Sequence, residues 1–566
     1  MTSAAAVGGR WRDDLRAPLR PGQWFFGLLF WWMSLYPTLL PRNSFSQGAI
    51  SGISAALGLA VGALVAWLAR CVFVALKRPV PQMSRGWGPR LLGVATFFGI
   101  FLGLPWWMAR QNGQRGLVGM EPLAAGSILA VVFWTVIVGA ILFVIGRSIA
   151  RWVRSADRQV SQIVPRPVAI AVTVLLVAAI GITLSRDVVF NQFVNWANSS
   201  YGTFDDTTPP GIEQPTTALR SGGPGSLVAW KSLGYQGRKF AGGGPTLDEL
   251  QQFAGPTATV MEPIRAYVGL QSADSPEAQA ALAVEELERT GAFSRSVLAI
   301  GTVTGTGWVD PLFAAGLEYM NNGDTAIVAT QYSYLPSWIS FLVDLDKAKA
   351  NGRALIGAVT ARWSQLPVDS RPRLVAFGES LGSYGSEQAF VGGDAQSSVD
   401  DALGSVDAVL WVGPTFANPV WEQIVDARNP GAPVWRPEYG SGDQVMIMGW
   451  PDQEPVAGLV GSGSHIVYVT HPSDPVTWAR VDALWKKPEW MNHPVGYDVP
   501  NDVVWFPGVT FVQTVFDLMA GFSAPPGYGH NYNPNAANGV AAIAAPPGWS
   551  AADTVRLDKI LNANLQ

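Results

Sequence analysis

The chain has 566 residues, 48% hydrophobic and only 14% charged, against about 25% charged in an average soluble protein. That deficit, with 24 Trp of which many lie beside apolar runs, points to a membrane protein with aromatic side chains at the interface. A net charge of −4 without a basic, aromatic-interleaved stripe argues against a nucleic-acid partner, and a single cysteine, Cys71, excludes an intrachain disulfide framework and a Cys-based metal site.

In chain order, apolar stretches lie at 23–40, 50–76, 91–108, 123–146 and 168–185, each reaching the length of about 17–25 residues that a helix needs to cross a bilayer. The second carries Arg70 near its end, where a long side chain snorkels to the interface. The other four hold no Asp, Glu, Lys or Arg, which favours anchoring over transport, since ion and proton pathways place ionisable groups inside their spans. Arg10, Arg12, Arg16 and Arg20 precede the first stretch. Lys77, Arg78, Arg85 and Arg90 follow the second, and Arg147, Arg151, Arg154, Arg158 and Arg166 follow the fourth, whereas the intervening loops hold Arg42, then Arg110 and Arg115. Positive charge on the inside predicts a cytoplasmic N-terminus and, after an odd number of spans, an extracytoplasmic remainder from Arg186 onward. The first stretch outruns a signal-peptide core, and Pro37 and Pro41 replace a small-residue cleavage site, so it reads as a retained helix. Residues 1–186 are therefore expected to be an all-α transmembrane bundle of about five helices.

Residues 187–261 turn to Pro, Gly, Ser, Thr and Asn, as in Thr207-Thr208-Pro209-Pro210, and read as a linker or loosely structured collar. From 262 to 566 the rhythm is strand, helix, strand. Strands are expected at 265–270, 296–303, 325–331, 373–377, 408–412 and 466–470, with helical patterns at 276–289 and 338–366. This alternation predicts an α/β domain with a mainly parallel sheet, whose ligand site lies beyond the carboxyl ends of its strands. Residues 415–463 read as an insertion rich in Trp and Pro, either a lid over an acyl pocket or ordinary packing.

The sharpest motif is Gly378-Glu379-Ser380-Leu381-Gly382, after a strand-like run and before a helical one. That context is a nucleophile elbow, whose tight turn needs small neighbours and lifts the serine hydroxyl above the sheet. The bland alternative is a Gly/Ser turn without chemistry. Of the four histidines, His530 comes last, in Pro525-Pro526-Gly527-Tyr528-Gly529-His530, where this arrangement places its base; His471 is the second choice. The acid belongs between them in the chain. Asp474 in His471-Pro472-Ser473-Asp474-Pro475 suits the role of orienting the imidazole, with helix capping as the bland reading and Asp452 and Asp498 as lesser candidates. For the oxyanion hole, Leu381 follows the serine, and Gly305 or Thr306 in Thr304-Gly305-Thr306-Gly307-Trp308 follows an earlier strand. That loop lacks the Lys of a P-loop, and the histidines show no metal-binding spacing, so neither a metal nor a cofactor is expected.

Thr304-Gly305-Thr306-Gly307-Trp308-Val309-Asp310, Gln331-Tyr332-Ser333-Tyr334-Leu335-Pro336-Ser337-Trp338, the Ser380 elbow, His471-Pro472-Ser473-Asp474-Pro475 and Gly529-His530-Asn531-Tyr532 together resemble the actinobacterial membrane-anchored α/β-hydrolase family. The resemblance covers nearly the whole chain. It implies an N-terminal membrane region joined to a C-terminal α/β-hydrolase fold, and it supports the Ser380, Asp474, His530 assignment without naming a substrate. The expected activity is ester or thioester hydrolysis, or acyl transfer, through an acyl-enzyme on Ser380. Proximity to the membrane suggests cell-envelope lipids or acylated glycans as substrates. The alternatives are a non-catalytic scaffold or binding protein on the same fold and, less favoured, a transporter.

Overall fold

The computed structural model describes residues 21–78, 87–160, 191–451, 453–458 and 465–563. The chain divides into two compact units, one of residues 1–192 and 479–521, the other of residues 193–478 and 522–566.

The second unit is built on strands β1 (Ile264–Val268), β2 (Val297–Thr302), β3 (Thr325–Thr330), β4 (Arg373–Glu379), β5 (Ala408–Val412), β6 (Val445–Met448) and β7 (His465–Val469). They form one sheet in the order β1-β3-β2-β4-β5-β7-β6, and every adjacent pair is parallel. Because helices cover both faces, β1, β2, β3, β5 and β7 are buried along their whole length, and their sequences are mostly apolar runs rather than alternations, with Arg265 of β1 paired to Glu318. Helix Pro276–Thr290 packs on β1 and β3, and helix Ala536–Ala544 on β4, β5 and β7. β4 lies centrally, its Gly378 level with Thr302 of β2 and its Glu379 level with Val412 of β5.

Two segments differ from their sequence reading. The stretch 415–463 is not simply an insertion beside the sheet: it holds helix Pro419–Asp426 and the edge strand β6. Its Trp421 is buried with its ring 4.9 Å from Tyr468 of β7, so this tryptophan is core rather than lid. Residues 191–261 carry helices Asn191–Asp205, Gly234–Gly242 and Leu247–Ala254, the last closed by a capping box between Thr246 and Glu249. Within the same stretch, Arg220 bridges Arg265 in parallel and Ser221 N–H donates to the Arg265 carbonyl. The segment thereby extends the sheet beyond β1. Its glycines and prolines mark the joints between short elements.

In the first unit, helices Ser44–Ala75, Arg90–Leu117 and Ser127–Arg151 are long and apolar enough to cross a membrane, and they match the second, third and fourth predicted stretches. The first stretch is corrected. Its described helix runs only over Pro21–Met33, 13 residues, about 20 Å at 1.5 Å per residue, and the backbone through Pro37 and Pro41 is not helical because proline supplies no N–H to continue it. The fifth stretch, 168–185, lies outside the described residues. Close helix packing depends on glycine: a methyl group at Gly48 would overlap Trp134, and one at Gly58 the Phe26 carbonyl, the small-residue contact that lets membrane helices approach.

The non-helical stretch 34–42 would leave peptide groups unsatisfied in an apolar surround. Buried side chains answer it. Gln47 and Gln513 donate to the Ser34 carbonyl at 3.0 and 3.1 Å, Gln114 to that of Thr38 at 2.8 Å, and Gln111 accepts from Arg42 N–H at 2.7 Å. The Arg42 guanidinium donates to the Ser34 and Tyr36 carbonyls and lies 3.8 Å from Asp517, on helix Val509–Ala520. Arg42→Met strands the Asp517 carboxylate and is expected to cost about 3–5 kcal/mol. A lower thermal unfolding midpoint in detergent would show it; an unchanged midpoint would mean the pair carries no such weight.

Candidate active site

β4 ends in Phe377-Gly378-Glu379, and the chain turns at Ser380 with φ 54° and ψ −119° directly into helix Leu381–Glu387. A positive φ at a residue with a Cβ is strained, and such strain collects at functional sites. The turn is held from three sides. Ser380 N–H donates to the Val412 carbonyl at the end of β5 at 2.9 Å, Ser383 Oγ donates to the Ser380 carbonyl at 2.7 Å, and Thr302 Oγ1 donates to the Phe377 and Gly382 carbonyls at 3.1 and 2.8 Å. A Cβ on Gly378 would collide with Thr302 Oγ1 and the Gly382 carbonyl, and one on Gly382 with the Thr302 carbonyl. Both glycines of the motif are steric requirements of this turn.

Asp474 lies beyond β7 and is fully buried. Its Oδ2 is 2.7 Å from His530 Nδ1 and accepts the Tyr532 hydroxyl at 2.7 Å, while Oδ1 accepts Val476 N–H at 2.8 Å. Asp474 makes both a capping contact and a contact to His530, one on each oxygen. Burial drives its carboxyl upward, but the His530 ring, the Tyr532 hydroxyl and the Val476 N–H together hold it below the usual value.

His530 is placed by a clamped loop. Gly527 and Gly529 have φ of 85° and 54°, open to glycine at no steric cost. His471 Nδ1 bonds the Gly529 carbonyl at 2.9 Å, and Gly529 N–H donates to Ser473 Oγ at 3.0 Å. The run from His471 to Asp474 thus supplies the clamp as well as a carboxylate. His471 itself has Nε2 3.0 Å from Asn535 Oδ1 and its ring stacked on Tyr532 at 4.2 Å, so both its nitrogens are engaged. The His530 ring packs edge-on against Phe522 and Tyr532 and seats over Gly413, where a Cβ would stand 2.8 Å from its Cε1. His530 Nε2 is buried and makes no hydrogen bond to any described residue. Ser380 and His530 therefore meet consecutive residues, Val412 and Gly413, at the carboxyl end of β5.

The loop Thr304–Trp308 closes on itself, with Gly307 N–H donating to the Thr304 carbonyl and Thr304 N–H to that of Trp308, and Tyr267 bonds the Gly307 carbonyl at 2.7 Å. Among the described residues, the N–H groups of Gly305 and Thr306 make no backbone hydrogen bond. Leu381, at the first position of its helix, has no side-chain cap from Ser380. Residues Thr302 and Val303, leading into this loop, lie against Gly382.

Of the remaining sequence candidates, His465 bonds the Ala542 carbonyl at 2.6 Å at the start of β7, at the end opposite the elbow. Asp498 and His493 belong to the first unit, and Asp452 lies outside the described residues. No cluster of His, Cys, Asp and Glu among the described residues is arranged to hold a metal ion. Sequence reasoning missed Tyr532 as a partner of Asp474, Gly413 as the seat of the histidine, and Asp310 with Glu379 behind the elbow. Only Tyr532 had a local signal, two positions after His530.

The alpha/beta-hydrolase family signature matches residues 264–557, and the signature of that family's N-terminus matches residues 35–245. No curated protein and no solved structure matches the chain.

Proposed function

The chain belongs to the alpha/beta-hydrolase family, and we propose that it is a membrane-anchored serine hydrolase or acyltransferase acting through an acyl-enzyme on Ser380. One observation carries this reading: a buried His530–Asp474 contact of 2.7 Å with the far nitrogen of the imidazole unengaged, at the strand end that also holds the strained serine turn. In the proposed cycle, His530 Nε2 takes the Ser380 proton as the hydroxyl attacks an ester carbonyl. Asp474 holds the tautomer and stabilises the imidazolium, and the proton then passes to the leaving alcohol. Leu381 N–H and that of Gly305 or Thr306 receive the developing oxyanion. Water completes hydrolysis; an acceptor hydroxyl completes transfer.

Three apolar helices keep the enzyme at a membrane, and lipids or acylated glycans of the cell envelope are the substrates such an anchor would present. With the basic segments 77–90 and 147–166 on the cytoplasmic side, a crossing at 168–185 would carry the hydrolase unit outside. The reading is tested by labelling the purified full chain with a fluorophosphonate. Wild type should label, and Ser380→Ala and His530→Ala should not. A folded wild type that stays unlabelled would turn the assignment toward a non-catalytic scaffold.

A further inference from the structure

Two buried carboxyl groups lie directly behind the elbow and take no part in the cycle above. Glu379 is the residue between Gly378 and the nucleophile, and Asp310 ends the run that begins with the Thr304 loop. Both line a pocket of about 10 Å³ with Thr302, Thr304, Trp308 and Gly378, at the lower limit of space for one water. Both carboxyl groups border this one small pocket, close enough to interact with each other. Two carboxylates only accept, so a hydrogen bond between neighbours of this kind requires a proton on one of them.

The surroundings decide which. Burial raises the Asp310 carboxyl too, but Asp310 caps helix Pro311–Met320, its Oδ1 accepting the N–H groups of Leu312 and Phe313 at 2.7 and 3.3 Å, and these donors favour its charged form over that of Glu379. Glu379 has no such donors: its Oε2 is buried and bonded to no described residue. Burial first, then the charge and hydrogen bond of Asp310, then the charge of Asp474, push its carboxyl well above the usual range. Tyr532 is the other titratable group that interacts with it, and neither Lys nor Arg is among the groups acting on either carboxyl.

We propose that Glu379 is a positioning residue that stays protonated and donates its proton to the Asp310 carboxylate, tying the Thr304–Asp310 segment to the nucleophile turn. The inference rests on the serine-hydrolase reading for its consequence in rate. It goes beyond that reading in giving the elbow an internal acid pair. The pair does two things. It fixes the loop proposed to supply the second oxyanion donor against the strand that carries Ser380. It also keeps a further negative charge from joining Asp310 and Asp474 where the tetrahedral oxyanion develops, a site whose stabilisation is electrostatic.

The test uses the full chain in detergent with two readouts. Infrared difference spectra of wild type minus Glu379→Gln near neutral pH should show a protonated-carboxyl stretching band, the subtraction cancelling the signal of Glu387, whose carboxyl burial lifts to about 7. Fluorophosphonate labelling should fall about tenfold in Glu379→Ala, and Glu379→Gln, whose amide still donates to Asp310, should recover most of that loss. Wild-type labelling should decline at alkaline pH as Glu379 ionises, and Glu379→Gln should lack this decline. A difference spectrum without that band, or an alkaline decline shared by wild type and Glu379→Gln, would overturn the proposal. A wild type that shows the band but does not label would uphold the acid pair and remove the hydrolase reading, so the two failures are distinguishable.

Discussion

Asp474→Asn is expected to lower the rate of Ser380 labelling by about four orders of magnitude while the chain stays folded. The carboxylate accepts the His530 Nδ1–H and the Tyr532 hydroxyl on one oxygen. An asparagine there can present its NH2 group to the imidazole, stabilising the tautomer with hydrogen on Nε2, the nitrogen proposed to take the serine proton. It also withdraws the negative charge that stabilises the imidazolium. Stability should shift with pH as well. The folded-state pKa of Asp474 lies below its unfolded value, so the native state binds fewer protons than the unfolded chain. Its contribution is present above the unfolded value, near pH 4, and is lost as pH falls through the folded one. Asp474→Asn should therefore unfold with a shallower acid dependence than wild type. Labelling within tenfold of wild type would remove Asp474 from the mechanism.

Gly413→Val should suppress labelling without replacing any residue that reacts. Gly413 has φ 53°, where a β-branched residue is a marked outlier, and its Cβ would stand 2.6 Å from the Tyr532 ring and 2.8 Å from that of His530. Neither ring has room to retreat, since both are buried and Tyr532 is held by Asp474 and by His471 N–H. The imidazole would be displaced from its seat, and a shift of about 1 Å in a catalytic group is enough for a hundredfold loss. Gly413→Ala should fall between wild type and Val. A Val variant that labels at the wild-type rate would show that the ring is not seated on β5 in solution. The elbow itself tolerates equally little. Gly378 and Gly382 are bounded by backbone and by Thr302 rather than by flexible side-chain ends.

The excursion of residues 479–521 into the first unit has a bearing on how this chain can be cut. It leaves the hydrolase unit shortly after Asp474 and returns at Phe522, before His530. Helix Val509–Ala520 then supplies Gln513 and Asp517 to the broken backbone at 34–42. A fragment of residues 262–566 alone would carry this segment without its partners in the first unit, uncovering the buried Gln513 and Asp517. For that reason the variants above are best compared in the full chain.

The amino-acid sequence by itself determined the α/β class and the order of its elements, because that information is local. Strands buried on both faces are continuous apolar runs, as at Val297–Thr302 and Ala408–Val412, and the long N-terminal helices are apolar stretches with few charges. β6 escaped because four residues, Val445–Met448, inside a segment rich in Trp and Pro carry too little periodicity to be told from packing. The first apolar stretch misled because hydropathy does not register that Pro37 and Pro41 break the helix, nor that Arg42 and Asp517 are there to satisfy the broken backbone. At the site, Ser380, Asp474 and His530 could be named from motif and order along the chain. What only the tertiary structure decided is what surrounds them: Gly413 beneath the imidazole, Tyr532 on Asp474, His471 and Ser473 on the histidine loop, and Asp310 in one pocket with Glu379. Most of these contacts join segments tens of residues apart, brought together by the order of strands in the sheet. Distances across a sheet are set by which strands pair, and pairing leaves no local mark on the residues that it makes neighbours.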